Sequence, residues 1–517
     1  MSDGRFVVAT LVVVGLLAAG ATPPVATAET PGEWRSVATA EMSASQTEAS
    51  STIHQRGIVS RNAEPGSVTL TFEYRIPSSI RGLRVSVPVV SLPGITVEST
   101  EGFERTTPTR FLWDGETERP RVTFRLAVSD AIDGGVRGVE RGDWALVSEP
   151  NTRVQVRSDG RPVQTDSFEV ATGEEGYADS HLAYLGPHER RNVTVADERA
   201  TFVLGADDAD PARAVDFLRT ANEQFDLGIQ REAITVFVLP LGPQETENIE
   251  AATVDTAFWV GERGLRFNGT GAVFAHEYVH TRLNTVGRGD AAWLTEASAE
   301  YYGRLFAFND GIGTDESFRE GLRASEYAPD RQSVVLADAK TWRGTKAHYT
   351  KGAHVLAALD AQIQRRTDGE RTLRDVFEGR SRPFRNYRAF RTAVIRVAGD
   401  ESIGPWLDRY VTTDALPPLP EHPRYYVAAP SLDPDGDGMA SGTELDRRRH
   451  PFVAGADARI TGTPSATTAT PTPVAETEGG STPDTTGGTD GTSPGFGPGL
   501  VAAAMLVFLL GARLRES

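Results

Sequence analysis

Two histidines and a glutamate at residues 276–280 form the pattern H-E-x-x-H. Residues four apart lie on nearly the same face of an α-helix, so His276 and His280 can direct two imidazoles at one metal ion. Glu277 lies one position further round the helix, where it can polarise a water molecule on that ion without being a ligand. The pattern predicts a zinc site with hydrolytic chemistry, and its alternative is a core helix with two incidental histidines.

A second acidic segment, W-L-T-E-A-S-A-E at residues 293–300, can complete this site. The stretch between His280 and Glu296 is long enough for one helix to end and an antiparallel helix to begin, so Glu296 can supply the third ligand and leave the fourth position for water. Glu300 lies one turn later on the same face, where it can accept an N–H from a ligating histidine and fix its tautomer. The alternative for each glutamate is a solvated helix carboxylate.

Composition limits both the chemistry and the partners of the chain. The 517 residues include no cysteine, so a metal ion here must be held by nitrogen and oxygen. Asp and Glu outnumber Lys and Arg by 71 to 53, and the net charge of −18 excludes a general nucleic-acid binder. Only three basic residues are lysines, namely Lys340, Lys346 and Lys351. This acidic, lysine-poor composition resembles that of proteins from salt-loving archaea.

The elements that must position these residues change type along the chain. Between about residues 50 and 200, apolar and polar residues alternate with period two, most regularly at 68–76, 83–87 and 122–128. Such runs are typical of half-buried strands, and the turns between them contain proline and glycine. We predict a β-sandwich-like domain over residues 29–200, without a catalytic constellation of its own.

The region 201–420 mixes helices and strands. Asp210 followed by Pro211 predicts the start of a helix, because proline at the first helical position after an aspartate cap favours initiation. Residues 234–239 are predicted to form a buried strand from their β-branched and aromatic content, and residues 256–260 another strand just before the metal-binding helix. Strands followed by a helical half give an α+β fold.

H-E-x-x-H followed by W-L-x-E resembles the signature of the gluzincin metallopeptidases, which include thermolysin and aminopeptidase N. The segment Y-T-K-G-A-H-V-L-A-A-L at 349–359 is similar to the Y-x-K-G element of the aminopeptidase N and glycyl aminopeptidase branches, and 365–376 and 406–411 are most similar to the glycyl aminopeptidases. The resemblance covers about residues 200–420. It implies a thermolysin-like catalytic domain with a mixed sheet and a helical half, Zn²⁺ as the cofactor and a peptide or protein substrate. It also implies that Tyr349 donates a hydrogen bond to the oxyanion of the tetrahedral intermediate.

The chain departs from the aminopeptidase N pattern in two places. The gap before the third predicted ligand is shorter, and residues 240–270 contain no G-x-M-E-N, the element that binds the substrate's free amine in that enzyme. Acidic residues without a matching context are found there at Glu245, Glu247 and Glu250. Three functions therefore stay open: an aminopeptidase-like zinc hydrolase, a zinc endopeptidase with an open cleft, and a non-catalytic surface adhesion or scaffold protein with a relic metal site. We expect His348 and His354 to be structural histidines rather than extra ligands, although either could touch substrate.

Residues 433–444, within the segment 421–459, fit the pattern D-x-D-x-D-G-x₅-E of a calcium-binding loop. Gly438 takes the position of the sharp turn. The predicted Ca²⁺ ligands are Asp433, Asp435, Asp437, Met439 through its carbonyl, Ser441 and Glu444. The alternative is an acidic turn without an ion. Because no second loop lies nearby, we predict a structural clamp rather than a calcium sensor.

Both ends of the sequence contain apolar runs. Residues 1–28 combine an early arginine, an apolar run at 6–19 and an A-T-A cleavage site, which is typical of a signal peptide. Residues 460–493 form a Thr-, Pro- and Gly-rich linker, and residues 494–517 combine P-G-F, a short apolar run and arginines. This last pattern resembles the carboxy-terminal sorting signals of archaeal surface proteins, in which a sorting enzyme replaces the tail with a lipid. We therefore predict an extracytoplasmic protein held at the cell membrane or cell surface by this C-terminal membrane anchor or sorting signal.

Overall fold

The structure is a computed structural model that describes residues 34–39, 52–88, 94–128, 138–158, 160, 162–179, 181–206, 208–241, 251–267, 273–327, 333–380, 382–454 and 460. The predicted signal peptide, the linker beyond residue 460 and the C-terminal anchor lie outside these ranges. Among the helices within these ranges, none combines the length and the apolar character that a membrane span needs.

Strands form most of the described N-terminal region. They are β1 (Arg35–Ser36), β2 (Ala38–Thr39), β3 (Thr52–Arg61), β4 (Ser67–Arg75), β5 (Ile80–Ser86), β6 (Ile95–Glu101), β7 (Phe103–Thr107), β8 (Arg110–Trp113), β9 (Arg121–Ala127), β10 (Gly138–Arg141), β11 (Trp144–Ser148), β12 (Arg153–Ser158), β13 (Val163–Val170), β14 (Gly176–Asp179) and β15 (Leu182–Leu185). One sheet has the order β1-β12-β5-β8-β7, a second β2-β13-β3-β4-β9-β6, and a third β10-β11-β15-β14. The predicted β-rich N-terminal region is confirmed.

The first two sheets share one hydrophobic core. In β4, Val68, Leu70 and Phe72 are buried while the threonines between them are partly exposed, because successive side chains of a strand point to opposite faces. These residues belong to the same core as Leu83 of β5 and Phe111 of β8, which lie in the other sheet. Two sheets that bury their inner faces in one core have the arrangement of a β-sandwich.

The third sheet joins this sandwich to the rest of the molecule. On β11, Ala145 and Val147 belong to the core of the sandwich, whereas Leu146 belongs to a separate core. This separate core also contains Phe237 and Trp259 from a fourth sheet. Both faces of β11 are therefore buried.

A mixed sheet and nine α-helices dominate the described residues after 188. The strands are β16 (Glu189–Val195), β17 (Glu198–Leu204), β18 (Ala233–Leu239), β19 (Ala251–Val254) and β20 (Ala257–Gly261), in the order β16-β17-β18-β20-β19. The central pairs are parallel and the two edge pairs antiparallel. The helices are α1 (Ala212–Gln224), α2 (Val273–Leu283), α3 (Leu294–Asn309), α4 (Asp315–Tyr327), α5 (Ala347–Arg366), α6 (Arg374–Phe377), α7 (Tyr387–Ala398), α8 (Ile403–Val411) and α9 (Ser441–Asp446). Sheets combined with a helical half form an α+β fold, as the sequence predicts.

The sequence also predicts where individual elements begin. A helix starts where Asp210 and Pro211 predict one, but one residue later: α1 begins at Ala212 and Pro211 is its N-cap, while the Asp210 carboxylate accepts the Ala212 N–H at 3.0 Å. The hairpin of β16 and β17 runs across the predicted domain boundary near residue 200, and β17 pairs with β18. A domain boundary at that point stays a prediction.

Two glycines allow the helices of the C-terminal half to approach closely. A Cβ on Gly303 of α3 would lie 2.9 Å from the backbone N and Cα of His276 on α2. A Cβ on Gly352 of α5 would meet the side chain of Ala297 on α3. Because real Cβ contacts do not become this short, glycine at both positions lets α3 lie tightly between α2 and α5.

Candidate metal centre

The two predicted histidine ligands and the third predicted ligand meet between α2 and α3. Nε2 of His276 lies 3.2 Å from Nε2 of His280, and Glu296 Oε2 lies 3.6 Å and 3.4 Å from these two nitrogens. Within the part of the chain that the structure describes, these three residues form one of two groups whose donor atoms are close enough to hold a metal ion. Fifteen residues separate His280 from Glu296, and the sequence predicts that the chain changes direction there between two antiparallel helices. This stretch contains a short 3₁₀ helix, Gly289–Ala291.

This triangle fits a zinc ion. Ligand atoms about 2.0–2.2 Å from a tetrahedral zinc lie roughly 3.3–3.5 Å from one another, which is close to the three observed separations. The histidines are buried, and Glu296 is 9% exposed. Glu296 Oε2 is buried and finds no hydrogen-bond partner among the described residues. A buried carboxylate oxygen that faces two imidazole nitrogens at these separations has the environment of a metal ligand.

The charges in the centre favour a cation. Burial lowers the pKa of His276, but the carboxylates of Glu296 and Glu300 outweigh it and raise this pKa to about 10. Burial also opposes ionisation of Glu296, yet the charge of His280 and the contact with His276 lower the Glu296 pKa to about 2. The carboxylates therefore remain ionised and stabilise positive charge between them.

Glu300 lies behind His276, where the sequence predicts a residue that orients a ligand. Its Oε2 is 3.2 Å from Nδ1 of His276, and its Oε1 accepts a 2.6 Å hydrogen bond from Arg304. Burial raises the pKa of Glu300, but Arg304 and His276 more than reverse this effect and hold the pKa well below its usual range. If a metal ion replaces the proton on Nε2 of His276, the ionised carboxylate would hold the Nδ1–H and keep the ring oriented toward that ion.

Glu277, the predicted base, is fully buried on α2 and is held from the edge of the mixed sheet. The Thr253 hydroxyl on β19 donates a 2.6 Å hydrogen bond to Glu277 Oε2. This hydroxyl fixes the direction of the carboxylate next to the two histidines. Sequence reasoning missed Thr253, because its proximity to Glu277 arises from the packing of β19 on α2 rather than from a local pattern.

Tyr349 lies at the same centre, on the first turn of α5. Its ring is nearly parallel to that of His276, with ring centroids 6.0 Å apart. Burial and the neighbouring Glu296 raise the pKa of Tyr349 well above its usual range, so the hydroxyl keeps its proton at neutral pH. A protonated phenol beside the ligands can donate a hydrogen bond to a substrate oxygen.

The residues around Tyr349 have structural partners. Lys351 is buried and its ammonium donates to the carbonyls of Val334 and Thr413. The His354 ring nitrogens lie 3.2 Å and 2.7 Å from the carbonyl oxygens of Leu322 and Pro417, as expected for a structural histidine.

His348 differs from its neighbour His354. It stacks on Trp342 with ring centroids 4.1 Å apart and lies edge-on to Tyr349 at 4.7 Å. Burial lowers the pKa of His348 to about 4, so this imidazole is neutral near pH 7. It is not part of the described metal-binding groups.

The second described group with the spacing of metal ligands is the predicted calcium loop, where one oxygen each from Asp433, Asp435 and Asp437 lies within 4.8 Å of the others. Burial raises the pKa of Glu444 to about 7, and the charges of Asp435, Asp437 and Asp433 act in the same direction. Glu444 is therefore near enough for the charges of these aspartates to act on it, although the close group of donor atoms consists of the three aspartates. The acidic residues Glu245, Glu247 and Glu250, by contrast, lie outside the described residues.

No family model and no curated protein matches the chain. Among solved structures, it is similar to an aminopeptidase N family protein from Idiomarina loihiensis, with 12% identity and a TM-score of 0.47 over 69% of this chain and 73% of that chain. It is also similar to an M1 zinc metallopeptidase from Deinococcus radiodurans, with 17% identity and a TM-score of 0.46 over 72% of this chain and 95% of that chain. For aminopeptidase A of Legionella pneumophila, the values are 13% identity and a TM-score of 0.43 over 70% and 49% of the two chains. The function is therefore inferred from the site itself.

Proposed function

We propose that this protein is a zinc-dependent peptide hydrolase. The observation that carries the proposal is the buried triangle of His276, His280 and Glu296, whose donor atoms have the mutual distances of zinc ligands. Two groups with the right chemistry for hydrolysis, Glu277 and Tyr349, lie beside the triangle. A relic site in an adhesion or scaffold protein would not need to keep the ligands, the base and the hydroxyl together.

The chain's own residues divide the reaction between them. Zn²⁺ bound by the three ligands would activate a water molecule and polarise the substrate carbonyl. Glu277, oriented by Thr253, accepts a proton from the attacking water and later delivers it to the leaving amine. Tyr349 donates its hydroxyl hydrogen to the carbonyl oxygen as negative charge develops there.

For substrate class, we propose aminopeptidase-like activity. Support comes from the Y-x-K-G element at 349–352, whose glycine is required by the close contact of α5 with Ala297. Residues 240–270, where the resemblance places the element that binds the substrate's free amine, lie partly outside the described residues. An endopeptidase built from the same catalytic residues is the competing outcome.

Peptide cleavage by the purified full-length chain tests both the proposed zinc-dependent hydrolysis and the proposed aminopeptidase-like activity. Zinc-loaded protein should hydrolyse short peptides with a free amino terminus and leave the same peptides uncut when the amine is acetylated. A chelator should abolish the activity, and added zinc should restore it. Cleavage of both peptide series would indicate an endopeptidase. Full zinc occupancy without cleavage of either series would contradict the proposal.

We propose further that the enzyme acts outside the cytoplasm and is anchored to the cell membrane or cell surface. The support is the sequence of residues 1–28 and 494–517, which combine apolar runs with the flanks of export and sorting signals. Protease treatment of intact cells should remove the protein if it is displayed outside. Protection of the protein in intact cells, with cleavage only after lysis, would contradict this location.

A further inference from the structure

We infer that residues 433–444 bind one calcium ion and that this ion holds the segment 430–453 against the C-terminal end of α3. The inference does not depend on the proposed peptidase activity, because none of the residues involved belongs to the zinc centre. It extends the sequence prediction of a calcium loop with two structural observations. One is a buried carboxylate oxygen of Glu444 that has no hydrogen-bond partner among the described residues, and the other is the position of the loop against α3.

The loop already has the backbone of a cation site. The Asp433 carboxylate accepts hydrogen bonds from the N–H groups of Asp437 and Gly438 at 3.2 and 2.8 Å. Gly438 has a φ of +89°, a conformation that side chains other than glycine rarely adopt, so the chain can turn sharply at this position. These bonds bring the side chains of the three aspartates, Asp433, Asp435 and Asp437, to one side of the turn.

Acidic residues in a turn are common without an ion, and Glu444 supplies the independent observation. Glu444 is 1% exposed, and its Oε2 has no hydrogen-bond partner among the described residues. Ser441, at the start of the same helix α9, is fully buried and its hydroxyl is also unpartnered within the described chain. An unpaired buried carboxylate is costly unless a cation compensates it. These two residues take the ninth and twelfth positions of the loop, where a calcium loop supplies its last ligands.

The protein's own cations balance this charge only in part. Arg449 Nη1 lies 3.8 Å from Asp437 Oδ2, and Arg447 Nη1 lies 3.5 Å from the sulfur of Met439. Among the described residues, this single ion pair is set against four acidic side chains, those of Asp433, Asp435, Asp437 and Glu444. A divalent cation between them would remove most of the remaining repulsion.

Oxygen donors on a flexible turn select calcium over the other common divalent ions. The loop offers carboxylates, a hydroxyl and the Met439 carbonyl, which are hard ligands, and it offers no imidazole or thiolate for zinc. Glu444 can bind through both oxygens, which suits the six to eight ligands of calcium. Magnesium requires near-octahedral geometry and shorter bonds, so a loop with a bidentate glutamate disfavours it.

The position of the loop indicates what the ion does. Asn309 at the end of α3 donates to the carbonyl of Tyr426 and accepts the N–H of Ala428, each at 2.8 Å. After the loop, the ring of Phe452 stacks on Phe308 of α3 with centroids 4.0 Å apart. The loop thus lies between two attachments to one helix end, and closing it with an ion shortens the free chain between them.

Calcium titration of the zinc-loaded full-length protein, followed by calorimetry, tests the site. The wild type should bind one Ca²⁺ per chain more tightly than Mg²⁺. Glu444→Gln keeps the side-chain volume but removes the bidentate charge, and it should weaken Ca²⁺ binding by at least about tenfold. Asp446→Asn is the matched control, because Asp446 is exposed on the same helix, and it should leave the affinity unchanged.

Limited proteolysis tests the clamp. Calcium should slow cleavage between residues 430 and 450 in the wild type and in Asp446→Asn, and should have little effect in Glu444→Gln. Absence of calcium binding to the wild type, or equal affinity in Glu444→Gln, would overturn the site. Binding without protection would overturn the clamp. Zinc content and peptide cleavage, measured on the same samples, report on the proposed function separately.

Discussion

Two regions of the molecule each place a histidine against a buried carboxylate, and their surroundings differ. In the β region, His181 Nδ1 lies 2.7 Å from Glu149 Oε2, and Glu149 Oε1 accepts a bond of 3.5 Å from Gln55. In the helical region, His276 Nδ1 lies 3.2 Å from Glu300. There, however, the opposite ring nitrogen faces the carboxylate of Glu296 and a second histidine.

The difference lies in how the remaining polar atoms are satisfied. Around Glu149, the Gln55 carbonyl accepts hydrogen bonds from Tyr74 and Thr152, so hydrogen bonds within the protein satisfy the cluster. In the helical region, Glu296 Oε2 is buried and finds no hydrogen-bond partner within the described residues. Satisfied polar groups stabilise a fold, whereas a buried carboxylate oxygen that meets two imidazole nitrogens without a well-formed hydrogen bond suits a metal ion. The comparison therefore favours the helical cluster as the proposed metal centre and the β-region cluster as a structural one.

The largest expected effect comes from removing Glu296, the carboxylate that we propose as the third metal ligand. Glu296→Ala should lose zinc and all peptide hydrolysis, because two imidazoles alone hold the ion weakly. Glu149→Ala is the comparison variant and should keep zinc and activity while its melting temperature falls. Metal analysis of both purified proteins, together with activity, makes the test. Full zinc occupancy in Glu296→Ala would point to another third ligand.

Replacing the base should separate chemistry from metal binding. Glu277→Gln keeps the size of the side chain and a partner for Thr253, so zinc should stay bound. Peptide turnover should fall by about 10²–10⁴-fold, the usual contribution of general acid–base catalysis. Steady-state rates and zinc content are measured on the same preparation, and unchanged turnover would remove Glu277 from the mechanism.

Tyr349→Phe should give the next largest loss. The variant keeps the ring against His276 but lacks the donor for the developing oxyanion. Turnover should fall by about 10²–10³-fold with little change in the Michaelis constant. Melting temperature is the control, since a purely packing role would leave Phe silent in kinetics and make Tyr349→Ala unstable instead.

Glu300 and Glu149 allow a direct comparison of two carboxylates that contact an Nδ1 atom. Glu300→Gln should weaken zinc affinity by about 10–100-fold, because His276 would lose the negative charge at Nδ1 that raises its basicity as a ligand. Glu149→Gln should leave zinc affinity unchanged. Competition with a chromogenic zinc chelator measures both. Equal affinities in Glu300→Gln and the wild type would make Glu300 a structural partner of Arg304 only.

The sequence predicts the proposed metal ligands better than it predicts the residues packed around them, and the reason is physical. His276, Glu277 and His280 share one helix, so their spacing alone determines their relative positions. Glu296 and Glu300 likewise share α3, and the structure brings both to His276. Alternation also predicts the strands of the sandwich, because burial on one face imposes period two.

Groups assembled from distant strands leave no such local pattern. Thr253 reaches Glu277 only through the packing of β19 on α2, and the cluster around Glu149 draws residues from across the β region. The sequence of this region predicts no catalytic constellation. A motif search cannot find these contacts, because the register and packing that create them depend on the whole fold.

The smallest expected effect is a pH dependence of stability that belongs to the β-region cluster. Burial lowers the pKa of His181, but Glu149 outweighs it, with Asp255 and Asp166 acting in the same direction, and the net pKa is raised above 6.5. Burial raises the pKa of Glu149 from 4.5 despite the contact with His181. Both shifts mean that the folded state binds more protons than the unfolded state, so stability falls as pH rises.

His181 contributes its full stabilisation below pH 6.5, and this contribution is lost as the pH rises through the raised pKa of His181 in the folded state. His181→Gln should therefore show a smaller decline in melting temperature between about pH 6 and pH 9 than the wild type. Zinc is kept in excess, so that titration at the metal centre does not contribute. The side chain of His181 is 42% exposed, which makes the expected difference small. If the melting temperatures of the two proteins changed with pH in parallel, the His181 imidazole would bind its proton no more tightly in the folded than in the unfolded chain. That result would contradict a stabilising charge on His181 in the β-region cluster.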